Sequence, residues 1–178
     1  MNAAKLSLFL LFLCATNSLA QAPPPEPADD EPTAILELGG AVNRTLSDHA
    51  WSSGPSVAVE FTPIKRWLEL EAGITQLFRS HSTEWDIDLL FKKPWDLSKK
   101  LEFMAGIGPQ WGHVNQFGLK TNSWSGEAVL DFMFWPSAKR KFGWYLEPSF
   151  DYSFARGHER SVGITGGLLI AIRPKSAH

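Results

Sequence analysis

The sequence predicts an all-β protein, a closed eight-stranded antiparallel up-and-down transmembrane β-barrel, on three observations. Apolar and polar residues alternate with a period of two in eight segments, and nothing after residue 33 shows a helical period. The connections between those segments alternate strictly between two chemical kinds. Twelve carboxylates fall on the polar face of the segments. The clearest segment is Trp124 to Trp135, with Trp124, Gly126, Ala128, Leu130, Phe132 and Phe134 on one side and Ser125, Glu127 and Asp131 on the other. A tilted strand crosses a bilayer in about 9–11 residues, which this run supplies, whereas the chain offers no apolar run of roughly 20 residues for a membrane helix.

Ahead of the strands, Lys5, the apolar stretch Leu6 to Leu13 and the small residues Ser18 and Ala20 predict a cleavable secretory signal peptide over 1–20. Cys14, the one cysteine, lies inside it after Leu13, where a lipoprotein signal requires a small residue, so neither a lipid anchor nor a disulfide is expected in the mature chain. Residues 21–32 combine Pro23, Pro24, Pro25, Pro27 and Pro32 with Glu26, Asp29, Asp30 and Glu31, and cannot bury a core; a disordered or polyproline-like arm is expected.

The barrel is expected over 33–173, with 174–178 as a tail. In order, the strands are read at Thr33 to Asn43, Gly54 to Thr62, Arg66 to Phe78, Thr83 to Phe91, Lys100 to Trp111, Trp124 to Trp135, Phe142 to Phe154 and Arg160 to Ile172. The turns Thr62 to Lys65, Lys92 to Lys99 and Pro136 to Lys141 are basic and carry breakers. The loops Asn43 to Ser53, Arg79 to Ser82, Gly112 to Asn122 and Ala155 to Glu159 lie between them. An even strand number with both termini at one end describes a closed meander, and closure removes edges that lipid does not tolerate.

The carboxylates of the polar face are Glu37, Glu60, Glu69, Glu71, Glu84, Asp86, Asp88, Glu102, Glu127, Asp131, Glu147 and Asp151, and no Lys or Arg is expected mid-strand beside them. A membrane barrel turns these acids inward; a soluble lipocalin-like barrel turns them to water and lines a ligand cavity with its apolar face. The continuous apolar face favours the membrane, with aromatic residues near the strand ends: Trp85, Phe91, Trp111, Trp124, Phe134, Phe142 and Trp144. Gly39, Gly73, Gly106, Gly108, Gly163 and Gly167 on the polar face suit a narrow bore. Twelve enclosed carboxylates repel one another, so they require water, protons or bases reaching in from the turns.

The signal peptide, the acidic Pro-rich arm, the eight alternating strands and the opening Leu36-Glu37-Leu38-Gly39-Gly40 together resemble the outer-membrane β-barrel domain superfamily of small bacterial porin-like proteins. That resemblance implies residence in the outer membrane of a Gram-negative bacterium, lipid contact, and handling by the barrel assembly machinery. The sequence departs from the family pattern at its end: Ile172 is followed by Arg173 to His178, without the terminal aromatic such barrels carry.

Three constellations suggest chemistry. His49, His81, His113 and His158 fall one in each loop at one end, a candidate metal cluster at the mouth. His81-Ser82 with Glu84 suggests a lipid-modifying hydrolase, although neighbouring residues of a strand point to opposite faces. The lumen acids Glu69, Glu71, Asp86, Asp88, Glu102, Glu127, Asp131, Glu147 and Asp151 form a candidate cation path, densest at Glu69, Glu71, Asp86 and Asp88. No phosphate-binding loop, Cys-X-X-Cys or His-Glu-X-X-His is present, and a net charge of −2 gives no argument for nucleic acid. No cofactor is expected. The function class expected is a non-enzymatic outer-membrane protein, structural, adhesive or passing small solutes or cations. The alternatives are a secreted soluble barrel binding an apolar ligand and a lipid-modifying enzyme.

Overall fold

The computed structural model describes residues 32–137 and 139–173. The expected leader at 1–20, residues 21–31 of the arm expected at 21–32, and the tail at 174–178 lie outside the described residues. Eight strands follow one another: β1 (Ala34–Thr45), β2 (Trp51–Ile64), β3 (Leu68–Arg79), β4 (Ser82–Ser98), β5 (Leu101–Gln116), β6 (Leu119–Phe134), β7 (Phe142–Ser153) and β8 (Arg160–Ile172). Each pairs antiparallel with the next, and β8 closes on β1 without interruption from Ala34↔Ile172 to Thr45↔Ser161. The closed seam leaves no open edge between β8 and β1, as a sheet in hydrocarbon requires.

The period of two decides which face is which. Leu38, Val57, Val59, Ile74, Ile87, Leu89, Ile164 and Leu168 stand exposed on the outer wall, while Glu37, Glu60, Glu71 and Asp131 are at most 3% exposed. This is the orientation of a membrane barrel, and it overturns the inside-out arrangement of a soluble ligand carrier. Outward Trp85 and Trp95 lie on one strand, ten residues apart. At about 3.3 Å per residue and a tilt near 40°, they are separated by roughly 25 Å along the axis, the height of an apolar band.

Two regions depart from the sequence reading. Lys92 to Lys99 was expected as a turn, but β4 continues to Ser98, and Lys92 is an inward residue of that strand. Beyond Glu69↔Lys92, β4 has lost its partner β3 and pairs only with β5. Pro94, which has no N–H to donate, is thus tolerated on what has become an edge. Likewise Gly112 to Asn122 is not a loop. β5 and β6 pair as far as Gln116↔Leu119, around a two-residue turn at Phe117 (φ 50°) and Gly118 (φ 82°), the positive-φ pair that suits the twist of a hairpin. His113 is therefore a strand residue.

Candidate functional site: the carboxylate lumen

The inward residues divide the lumen into a lower half at the turn end and an upper half at the loop end. In the lower half Ile35, Met104, Met133, Trp135, Tyr145 and Leu169 form a buried apolar cluster. Trp135, read from the sequence as the end of a strand, follows β6 and turns inward. Directly above it sits Lys92, 1% exposed. Its ammonium donates to Glu71, to Asp131 at 3.0 Å and to Glu147 at 2.6 Å, and Glu60 lies at 3.8 Å. These partners come from β2, β3, β6 and β7, so one base on β4 reaches across the whole bore.

The expectation that no Lys or Arg stands mid-strand among the acids is corrected by this residue. A lone charge at that depth would be strongly disfavoured; several ionic hydrogen bonds offset the lost hydration. Carboxylate oxygens of Glu37, Glu60, Glu71 and Asp131 lie within 4.8 Å of one another, the only group among the described residues that converges as metal ligands do. The Lys92 ammonium supplies the positive charge that such a group calls for. A second base does come from a turn, as expected: Arg140 donates to Glu102 at 2.8 Å and to Asp96 at 3.0 Å.

The upper half is different. Asp86, Asp88, Glu127 and Asp151 line a polar cavity of about 50 Å³ together with Thr75, Gln110 and Ser149. That is space for a few waters. Ser161 donates to Asp151 at 3.0 Å, while the other Asp151 oxygen and one oxygen of Glu127 are buried without a partner. Glu127 stands directly opposite Asp151 across β6 and β7. Glu84, higher on β4, is half-buried. The densest cluster read from the sequence is thus divided: Glu69 lies toward the floor, Asp86 and Asp88 line the cavity, and Glu71 is bound by Lys92 and lines the cavity as well.

The four histidines are not brought together. His49 lies 3.4 Å from Arg44 Nη2, His81 stacks on Phe117, His113 pairs with Asn122 at 2.6 Å and stacks on Trp111, and His158 stacks on Tyr152. His49, His81 and His158 have φ between 48° and 63°. The regular placing of three of them therefore reflects tight turns that need a left-handed residue, a conformation His adopts more readily than most side chains. His81 packs on Phe117 at a ring separation of 5.4 Å.

The comparisons with solved structures agree with this geometry. Neisserial surface protein A matches with a TM-score of 0.66 at 10% identity, over 79% of this chain and 97% of that one. Ail, the attachment invasion locus protein of Yersinia pestis, matches at 0.54 and 12% identity, over 79% of this chain and 99% of that one. The N-terminal β-barrel domain of Pseudomonas aeruginosa OprF matches at 0.52 and 11% identity, over 76% and 97%.

The fold is that of the small outer-membrane barrels. At these identities the likeness speaks for the fold alone. No family model matches the chain, and no curated protein does.

Proposed function

We propose that the chain is a non-enzymatic, non-conducting barrel of the outer membrane of a Gram-negative bacterium, and that it works through its loop end in a structural or adhesive role. The observation that carries this reading is the floor of the lumen. An ion crossing the bore would have to displace an ammonium bound by Glu71, Asp131 and Glu147 and then part the apolar cluster from Ile35 to Leu169. One neighbour in fold is named for attachment and invasion, which points the same way. Membrane lipid and the barrel assembly machinery are the partners this reading requires.

The purified barrel in a planar bilayer is expected to give no discrete conductance steps. A steady cation-selective current, lost when Asp86 and Asp88 become Asn, would return the protein to the passage class. Fractionation should recover the chain in the outer membrane with faster gel migration before boiling than after; recovery in the soluble periplasm would sink the membrane reading.

A second reading is favoured by the partnerless oxygens of Glu127 and Asp151. In it, the upper cavity holds a cation without passing it on. Calcium titration calorimetry of the parent and the Asp86→Asn, Asp88→Asn variant decides: binding by the parent alone supports it, and absence of binding by the parent removes it.

A further inference from the structure

At the level of Trp51 and Tyr152 the outer wall carries two arginines on adjacent strands. On the faces that continue the lipid-facing rows, Arg44 follows Val42 on β1, and Arg160 precedes Val162 on β8. Arg44 pairs with Val162, and Leu46 N–H donates to the Arg160 carbonyl at 2.8 Å, so the two arginines are diagonal neighbours on adjacent strands. Such positions lie about 7–8 Å apart, within reach of long side chains.

Each guanidinium rests on an aromatic ring of a neighbouring strand: Arg44 over Trp51 of β2 at 5.4 Å, and Arg160 over Tyr152 of β7 at 6.0 Å. Among the described residues neither arginine has an ion-pair partner; Arg44 Nε is buried without an acceptor, and its Nη2 lies 3.4 Å from His49 Nδ1. The two carboxylates of the flanking loops are engaged elsewhere: Asp48 is bound by Arg79, and Glu159 accepts from Ser47 at 3.2 Å. His49 and His158 flank the pair, one beside Arg44 and one on Tyr152.

We propose that Arg44 and Arg160 form a binding site for the phosphate of a lipid headgroup in the leaflet at the loop end. Two guanidiniums offer planar, forked donors that match phosphate oxygens. Stacking on Trp51 and Tyr152 holds them in place before the ligand arrives, which lowers the ordering cost of binding. The position selects a lipid over a soluble anion. The pair stands directly above exposed Val42, Val162 and Ile164, so a headgroup bound there leaves its acyl chains on the apolar wall. The site rests on the membrane reading above and is independent of any adhesive role.

The test uses the refolded barrel in phosphatidylcholine nanodiscs that contain either a diphosphorylated glucosamine lipid or the same lipid without its phosphates. Native mass spectrometry counts the glycolipid retained per barrel. The parent is expected to favour the phosphorylated form, and Arg44→Gln with Arg160→Gln to lower its retention on the order of tenfold. Lys120→Gln, a basic change elsewhere on the rim, is expected to leave retention unchanged. Heat-modifiable mobility confirms that each variant is folded. Equal retention by the parent and the double arginine variant overturns the proposal, as does displacement of the lipid by millimolar inorganic phosphate, which would make the site one for soluble anions. A parent that enters no nanodisc overturns the membrane reading itself, an outcome distinct from insertion without selectivity.

Discussion

In the lower half of the bore Glu71, Asp131 and Glu147 share one ammonium, and Glu60 stands close by; in the upper half Asp86, Asp88, Glu127 and Asp151 have no such base among the described residues. The residue type is the same and the wall is the same. A single inward lysine gathers the first set into a packed floor on an apolar cluster, whereas the second set surrounds a polar cavity, which Glu71 and Glu147 also line. The contrast teaches that an acidic face read from sequence says nothing about openness until the positions of the bases are known.

The largest test of the contrast is Lys92→Met. Removing one partner of a buried ionic group leaves the others uncompensated, at a cost of about 3–5 kcal/mol. The urea midpoint of the refolded barrel in micelles should fall accordingly, and adding Asp131→Asn should recover part of the loss. A change too small to resolve would mean that the floor does not depend on its charge.

Packing gives the next test. A Cβ on Gly39 would lie 2.6 Å from the Tyr145 hydroxyl and against the Gly166 backbone, in the floor. A Cβ on Gly112 would meet side-chain oxygens of Asp86, Ser123 and Glu84, at 3.1, 3.2 and 3.8 Å. Gly39→Ala is therefore expected to cost about 1–3 kcal/mol and Gly112→Ala much less, measured in the same urea titration. Equal costs would erase the distinction between a tight half and a loose one.

Glu127→Gln sharpens the comparison from the other side. It removes a like-charge pair with Asp151 directly across β6 and β7, so a gain of about 0.2–1 kcal/mol is expected. The equivalent change in the floor, Glu147→Gln, should destabilise, since it takes an acceptor from Lys92. A loss on Glu127→Gln would show that the cavity already contains a compensating cation.

The smallest effect lies outside the membrane. The Arg79 side chain beside Asp48, with help from the Ala50 N–H, holds the Asp48 carboxyl below its ordinary value. A depressed carboxylate stabilises the fold above its unfolded pKa and loses that contribution as pH falls through its folded one. The β1–β2 loop should thus loosen only at pH below the normal aspartate range. Carboxyl NMR should place the Asp48 midpoint low in the parent and back at the ordinary value in Arg79→Met; the same midpoint in both would exclude the pair.

The strands were legible because lipid on one side and a narrow bore on the other enforce a two-residue period. That signal fades where the constraint ends. From His113 to Asn122 the β5–β6 hairpin has left both lipid and the packed lumen, so nothing demands apolar residues on either face, and the run reads as loop. Only Phe117-Gly118 marks the turn. Lys92-Lys93-Pro94 reads as a basic turn because lysines and proline usually end strands. The available counter-signal was Trp95 and Leu97 continuing the outward row of Leu89 and Phe91, which makes Lys92 inward by parity. The acids of the lumen were legible as a set, but their division into floor and cavity depended on that one residue. The arginine pair on the outer rim had no signal in the sequence, because Arg44 and Arg160 become neighbours only when β8 meets β1.

Lys92 also bears on how the cylinder comes to be assembled. Glu71 is 21 residues away from it along the chain, Asp131 39 and Glu147 55. In a half-zipped sheet the ammonium has Glu71 on the neighbouring strand β3, but the distant acids on β6 and β7 stand on a separate stretch of an open curve. They meet the ammonium only when the first and last strands join. Ring closure and charge cancellation are then a single event, and the lysine acts as a latch that rewards only the completed circle.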